Sequence, residues 1–152
     1  GGTIDKLYFD AKNAYLVGEP QIGQLLAEAN VTVEYEIRSV LHKDSLEMTD
    51  TDRELIATVV QSTPARHFLI THGTDTMLQT ARRLQQIPDK VMVLTGAMQP
   101  ARIRTSDAFF NIGFAFAAVQ LLPPGAYVAM NGRVFTPDRA RKNVELSRFE
   151  NQ

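Results

Sequence analysis

An α/β fold, with a mostly parallel sheet flanked by helices in three layers and an amino-terminal hairpin flap, is the architecture this sequence predicts. Three observations carry it. Short apolar runs rich in β-branched residues alternate with stretches whose apolar residues recur every three or four positions. The links between them are short. Two of the runs lead straight into turns of small and hydroxyl residues, His72-Gly73-Thr74-Asp75 and Thr95-Gly96-Ala97. Strand and helix in alternation produce a parallel sheet covered on both faces, of the Rossmann-like or flavodoxin-like kind.

The elements follow in order. Gly1-Gly2-Thr3-Ile4 is a turn sequence, and an α/β domain is expected to start with a strand. Several upstream residues forming an apolar first strand are therefore expected ahead of it. Leu7-Tyr8-Phe9 and Ala14-Tyr15-Leu16-Val17, around a polar link, predict a hairpin that acts as a flap. After Pro20, the spacing of Ile22, Leu25, Leu26 and Ala29 predicts a helix. Val31 to Val40 alternates and is rich in β-branched residues, which predicts a strand.

Thr49 to Asp52 supplies capping groups for a second helix carrying Leu55, Ile56, Val59 and Val60. His67 to Thr71 predicts a strand, and Met77, Leu78, Ala81 and Leu84 a helix ended by Ile87-Pro88. Val91 to Leu94 is the next strand. Asp107 to Leu121 is a helix apolar around nearly its whole circumference, which predicts burial on more than one side, within the domain or against a partner. Tyr127 to Met130 and Arg133 to Phe135 complete the sheet.

Composition narrows the function. A chain of 152 residues fits one domain and buries a core without staples. Having no cysteine, it has no disulfide, thiolate metal site or cysteine nucleophile. The net charge of -1 argues against nucleic-acid binding, and the one basic run, Arg139, Arg141 and Lys142, reads as a solvated surface turn. No apolar stretch is long enough to cross a bilayer. The first residues lack the basic and apolar regions of a secretory signal, so a cytoplasmic enzyme is the expectation. His67 and His72 stand in no metal-binding spacing, and His72 is expected to brace its turn.

In a parallel sheet, ligands sit outside the carboxyl ends of the strands. The turns at Gly1-Gly2-Thr3, His72 to Asp75 and Thr95 to Ala97 then converge on one edge. Backbone N–H groups at Gly2 and Thr74 would face a developing oxyanion there. Thr3 and Thr74 offer hydroxyls that need an adjacent base to become nucleophiles. Lys90 and Asp75 are the candidate proton acceptor and its orienting carboxylate. A plainer reading stands beside this one: His72 to Asp75 as a strand end and helix cap, Lys90 as a surface strand-start residue, and Ser45 and Glu47 as loop residues.

Three pieces in order, Gly1-Gly2-Thr3-Ile4, His72-Gly73-Thr74-Asp75-Thr76, and Asp89-Lys90 before Val91 to Met98, give the chain its resemblance to the bacterial-type L-asparaginase family. The likeness is to the family's amino-terminal α/β domain and extends from the first residue to about Phe149. It implies L-asparagine amidohydrolase activity, releasing ammonia and L-aspartate through a threonine acyl-enzyme with no cofactor or metal.

By that resemblance Thr3 is the nucleophile and Tyr15 the flap tyrosine bonded to it. Thr74, Lys90 and Asp75 form a second cluster that handles protons. Ser45 receives the substrate α-carboxylate, Asp75 faces the α-ammonium group, the backbone at Gly2 and Thr74 forms the oxyanion hole, and Gly73 is among the substrate-binding residues. Leu46 stands where the family often has a polar residue, leaving Glu47 to contact the α-ammonium group. Ala108-Phe109 replaces the usual Gly-Pro after Asp107, while Asn111 is kept.

The family's smaller second domain is absent from residues 1–152, as in a naturally short member or a fragment. A homodimer or homotetramer is the family habit. The competing readings are a glutaminase or related amidase, an amidotransferase subunit, and a non-catalytic aspartate- or asparagine-binding protein. The whole reading requires Thr3, Thr74, Lys90 and Asp75 to surround one cavity.

Overall fold

The computed structural model describes residues 3–9, 14–17, 20–101 and 103–152, with the side chains of residues 3, 6–9 and 14–17 outside the description. Strands β1 (Lys6–Phe9) and β2 (Ala14–Val17) pair antiparallel with Tyr8 opposite Tyr15, as the two aromatic runs predict. The remaining elements are α1 (Ile22–Glu28), α2 (Asp50–Ser62), β3 (His67–Thr71), α3 (Met77–Leu84), β4 (Val91–Thr95), α4 (Ala108–Leu121), β5 (Gly125–Met130), β6 (Arg133–Phe135), β7 (Ala140–Asn143) and β8 (Arg148–Asn151). The central sheet has the order β3-β4-β5-β6. Its first three strands are parallel, and β6 returns antiparallel through Asn131 and Gly132, both at positive φ, the geometry that an Asn-Gly hairpin turn favours.

Every residue of β4 is buried, so its side chains divide between two covering layers. Met92 and Leu94 pack with Ile56, Val60, Met77 and Leu84 of α2 and α3. Val91 and Val93 meet Ala115, Ala118 and Val119 of α4 on the other face. Each large side chain so removed from water contributes about 1.5–3 kcal/mol. A third cluster joins Ile4, Leu25 and Leu26 to Ala97, Ala108 and Ile112. Helix α2 starts where its sequence says: Asp52 N–H donates to Thr49 Oγ1 at 3.3 Å while Thr49 N–H donates to Asp52 Oδ2 at 2.8 Å.

Two expectations are corrected, for Val31 to Val40 and for the basic run. Val31 to Val40 carries no ladder and is assigned to neither helix nor strand, and Val33, Tyr35 and Ile37 are largely exposed. Within the described chain helix α4 turns one face to the core and leaves Phe109, Phe110 and Leu121 outward, so burial of its other side would fall to a partner. The basic run is no surface turn: Arg139 ends the 3-10 turn Pro137–Arg139, and Arg141 and Lys142 belong to the β7–β8 hairpin, in which Lys142 pairs with Phe149. Phe149 lies against Phe135, centroids 6.2 Å apart, and this buried ring holds the hairpin on the sheet.

Candidate functional site

The carboxyl edge of the parallel strands gathers the turns as expected. His72 N–H donates to Thr95 O at 2.8 Å, extending the β3–β4 ladder by one residue and fixing both turns side by side. Gly96 is required there, because a Cβ at this position would overlap the His72 carbonyl and touch Met77. Gly73 lies against Ser45 in the same way, its absent Cβ leaving room for the Ser45 hydroxyl. The 3-10 turn Thr3–Asp5 reaches this edge too: Ile4 is fully buried beside Ala97, and its carbonyl accepts from Ala101 N–H at 3.0 Å.

The polar centre is a contact between distant segments. Lys142 Nζ donates to Thr74 Oγ1 at 2.8 Å and to Asp75 Oδ1 at 2.6 Å. Thr74 is buried, the Lys142 side chain is nearly so, and the Asp75 carboxylate keeps 39% of its exposure. The cluster therefore opens to solvent on the Asp75 side while the threonine hydroxyl and the ammonium sit in lower dielectric, where their interaction is stronger than in water.

Lys90, the sequence candidate for this place, is elsewhere. Its Nζ donates to the carbonyls of Thr63 and, at 3.0 Å, Ala65, and it lies 5.0 Å above the Phe68 ring. The reason is directional. Lys90 precedes the first residue of β4, which pairs with the first residue of β3, whereas Thr74 follows the last. Five strand residues, roughly 17 Å, separate the two ends. Lys142 occupies the position expected of Lys90. No turn motif flags it in the sequence, because it comes from a short hairpin 68 positions beyond Thr74.

Among the other candidates, Ser45 is buried in the wall behind Gly73, and its Oγ has no hydrogen-bond partner. Its carbonyl accepts from Thr76 Oγ1 at 2.8 Å, which ties the Ser45 turn to the start of α3. Leu46 and Glu47 are exposed. Gly2 lies outside the described residues, as do the side chains of Thr3 and Tyr15.

His72 braces the turn. Its Nδ1 lies 2.7 Å from Gly73 O, so Nδ1 carries the proton, and Nε2 accepts from Thr80 Oγ1 at 2.8 Å. Burial lowers its pKa to about 4, against the pull of the Gly73 carbonyl and with further depression from the charge of Arg53. The ring is thus neutral near pH 7 and structural.

A second polar network, missed in the sequence except for its keeping of Asn111, steadies the whole edge. Asn111 Nδ2 donates to Gly96 O and Asp107 Oδ2, and Asn111 Oδ1 accepts from Asn131 N–H. Asp107 accepts from Met98 N–H, and Asn131 Oδ1 accepts from Phe149 N–H at 2.9 Å, opposite Lys142. One buried amide therefore couples the turn after β4 to the hairpin that carries the lysine.

These features define a class: α/β domains with a hydroxyl–ammonium–carboxylate cluster at the carboxyl edge of a parallel sheet. Within that class, the family model described as "Asparaginase, N-terminal" matches residues 1–150, and the chain belongs to the asparaginase family. It is similar to a glutaminase-asparaginase from Acinetobacter glutaminasificans, 28% identical over 143 residues covering 88% of this chain and 41% of that protein. An L-asparaginase from Thermococcus kodakarensis is 32% identical over 122 residues, covering 76% and 37%. The crystal structure of L-asparaginase I from Vibrio cholerae O1 biovar eltor superposes with a TM-score of 0.83 at 26% identity, covering 99% of this chain and 48% of that one. The chain spans less than half the length of these relatives and about half that of the solved structure.

Proposed function

We propose that this domain hydrolyses the side-chain amide of L-asparagine to L-aspartate and ammonia. The observation that carries the reading is the Lys142 amine held between the Thr74 hydroxyl and the Asp75 carboxylate. A binding protein has no use for a hydroxyl joined to a proton acceptor. In the proposed reaction Thr3 Oγ attacks the amide carbon, and the amide nitrogen gains a proton and leaves as ammonia. Water then cleaves the threonine ester, restoring the hydroxyl and releasing the carboxylic acid.

The Thr74–Lys142–Asp75 cluster moves the protons. For Lys142 to take a proton from Thr74 or from water, it passes one to Asp75, and the 2.6 Å contact supplies the route. Tyr15 of the flap would orient Thr3, the N–H groups of Gly2, Gly73 and Thr74 would face the oxyanion, and Asp75 would bind the α-ammonium group. Ser45 serves the α-carboxylate only after its side chain turns out of the wall; its unpartnered hydroxyl is ready to gain an acceptor there. Leu46 and Glu47 would reach substrate only from the rim.

A glutamine-hydrolysing variant of the same chemistry is the second reading, favoured by the printed name of the Acinetobacter relative. One methylene separates the substrates, worth about 1–3 kcal/mol in a pocket. We place the protein in the cytoplasm, and no described helix is long and apolar enough to cross a membrane.

A coupled ammonia assay of the purified protein with asparagine, glutamine and short amides tests the function directly. Ammonia from asparagine supports it; calorimetric binding of asparagine or aspartate with no ammonia from any amide overturns it. An acyl-enzyme ester trapped on Thr3→Ala would remove Thr3 as the nucleophile.

A further inference from the structure

Strands alternate their side chains between two faces, and the β7–β8 ribbon uses each face for a different purpose. On the inner face Lys142 stands opposite Phe149, the lysine reaching Thr74 and Asp75 and the ring buried against Phe135. On the outer face Arg141 stands opposite Glu150, and Asn143 opposite Arg148. One carboxylate gathers its three neighbours there. Glu150 Oε1 accepts from Arg148 Nε at 2.8 Å and from Asn143 Nδ2 at 3.3 Å, and Oε2 accepts from Arg141 Nη2 at 3.2 Å. Asn143 is engaged a second time, its Oδ1 accepting from Leu146 N–H at 3.0 Å in the connecting turn.

Arg141 and Asn143 flank Lys142 in β7, so Glu150 fastens the lysine's strand to β8 from both sides of that residue. The ribbon needs such a fastening. It is a sheet of its own, four residues to a strand, with no ladder to the central sheet among the described residues, and a lone pair of short strands is marginal in water. The outer face also places Arg141 and Arg148 on a cross-strand diagonal, where like charges push the strands apart, and Glu150 binds both. Its side chain keeps only 18% of its exposure. The bonds from Arg148, Asn143 and Arg141 hold its carboxyl below the usual carboxylate range, so it remains an ionised acceptor near neutral pH. A surface ion pair contributes little to global stability. This one differs in its place, on the reverse of the strand that carries the amine of the site.

We propose that Glu150 is a positioning residue for the reaction: by binding Arg141 and Asn143 it sets Lys142 Nζ against Thr74 and Asp75. It touches no substrate and acts only through the lysine. Both Lys142 contacts are short, at 2.8 and 2.6 Å, and a displacement of about 1 Å at a reacting group costs on the order of 10²-fold in rate. The proposal deepens the asparagine-hydrolysing reading and rests on it for the kinetic consequence alone.

The test joins kinetics to a readout that needs no turnover. Glu150→Ala and Glu150→Gln are compared with the unaltered protein and with Lys142→Met, each checked for a native unfolding transition. In ammonia release from asparagine, Glu150→Ala is expected to lower kcat by about ten- to hundred-fold with KM within roughly two-fold, and Glu150→Gln, which keeps one acceptor oxygen, to lose less. Added to Lys142→Met, Glu150→Ala is expected to cause no further loss, because both changes act through one amine. Acetylation of Lys142 by acetic anhydride, mapped by peptide, reports whether the amine is engaged. It is expected to accelerate by roughly five-fold or more in Glu150→Ala while Lys90 is unchanged. Where Glu150→Ala does not fold, Glu150→Gln carries both readouts. Unaltered labelling at Lys142, a loss that falls equally on KM, or a double variant slower than Lys142→Met alone overturns the proposal. Faster labelling in a protein that releases no ammonia from any amide supports the placing of Lys142 by Glu150 and overturns the hydrolytic reading instead.

Discussion

Lys90 and Lys142 show what a single position in a parallel sheet decides. One stands where the apolar strand β4 begins, and the other lies within the polar strand β7 and faces the turns where β3 and β4 end. The rule that ligands gather at strand ends excludes Lys90 in hindsight, since a residue before a parallel strand lies at the opposite edge. Lys142 was hidden because its strand runs outside the parallel set. The glycine and threonine turns were legible, since strand end, small residue and hydroxyl occur together in the chain. His72 bears on stability. Its pKa of about 4 lies below the ordinary 6.5, so the unfolded chain binds the extra proton between those values. The stabilisation is complete above about pH 6.5, falls with pH through that window and levels off below about 4. Urea unfolding at pH 7.5 and pH 5 is expected to differ by about 2 kcal/mol from this group, and His72→Asn to flatten the difference. Asp52 does not confuse the result: the Thr49 backbone bond, with Lys43, lowers its pKa to about 2, and its contribution is lost only as pH falls from about 4 through 2. Gly96→Ala, which drives a methyl into the His72 carbonyl, is expected to cost about 1–3 kcal/mol in the same unfolding measurement.

Among the elements, those whose signals are local were readable. The Thr49 and Asp52 pair announces α2, and the three- and four-residue apolar spacing of Met77 to Leu84 announces α3. Elements that depend on distant partners were not. The strand pattern of Val31 to Val40 is present, but a ladder needs a neighbour, and no described segment provides it. The β7–β8 hairpin has neither an Asn-Gly nor an Asp-Gly turn and depends on Phe149 docking beside Phe135 and on Asn131. Asn131→Ala loses the acceptor for Phe149 N–H and puts alanine, which tolerates the left-handed region less well than asparagine, at φ 55, and is expected to destabilise by about 1–3 kcal/mol. Asn131→Gly tolerates that φ but still lacks the acceptor. If the hairpin positions Lys142, Asn131→Gly lowers kcat for ammonia release while leaving KM for asparagine nearly unchanged; an unaltered kcat would separate the hairpin from the reaction.

At the scale of the whole molecule, the parallel α/β architecture was legible because alternating strands and helices leave few other ways to bury two-faced strands such as β4. Association was less so. The apolar circumference of α4 predicts burial on several sides, and the fold covers only one, leaving Phe109 at 51%, Phe110 at 63% and Leu121 at 83% exposure. Such a surface favours self-association. A homodimer or homotetramer is expected in sedimentation equilibrium at micromolar concentration, and a monomer would count against it. The central claim concerns chemistry: Lys142, and not Lys90, serves Thr74 and Asp75. Steady-state ammonia release from asparagine by Lys142→Met and Lys90→Met, each checked for a native unfolding transition, puts it to the test. Lys142→Met is expected to lose about 10²–10⁴ in kcat, the range for a proton-transfer group, with Lys90→Met close to the unaltered protein. Equal losses, or a larger loss at Lys90, would contradict the account.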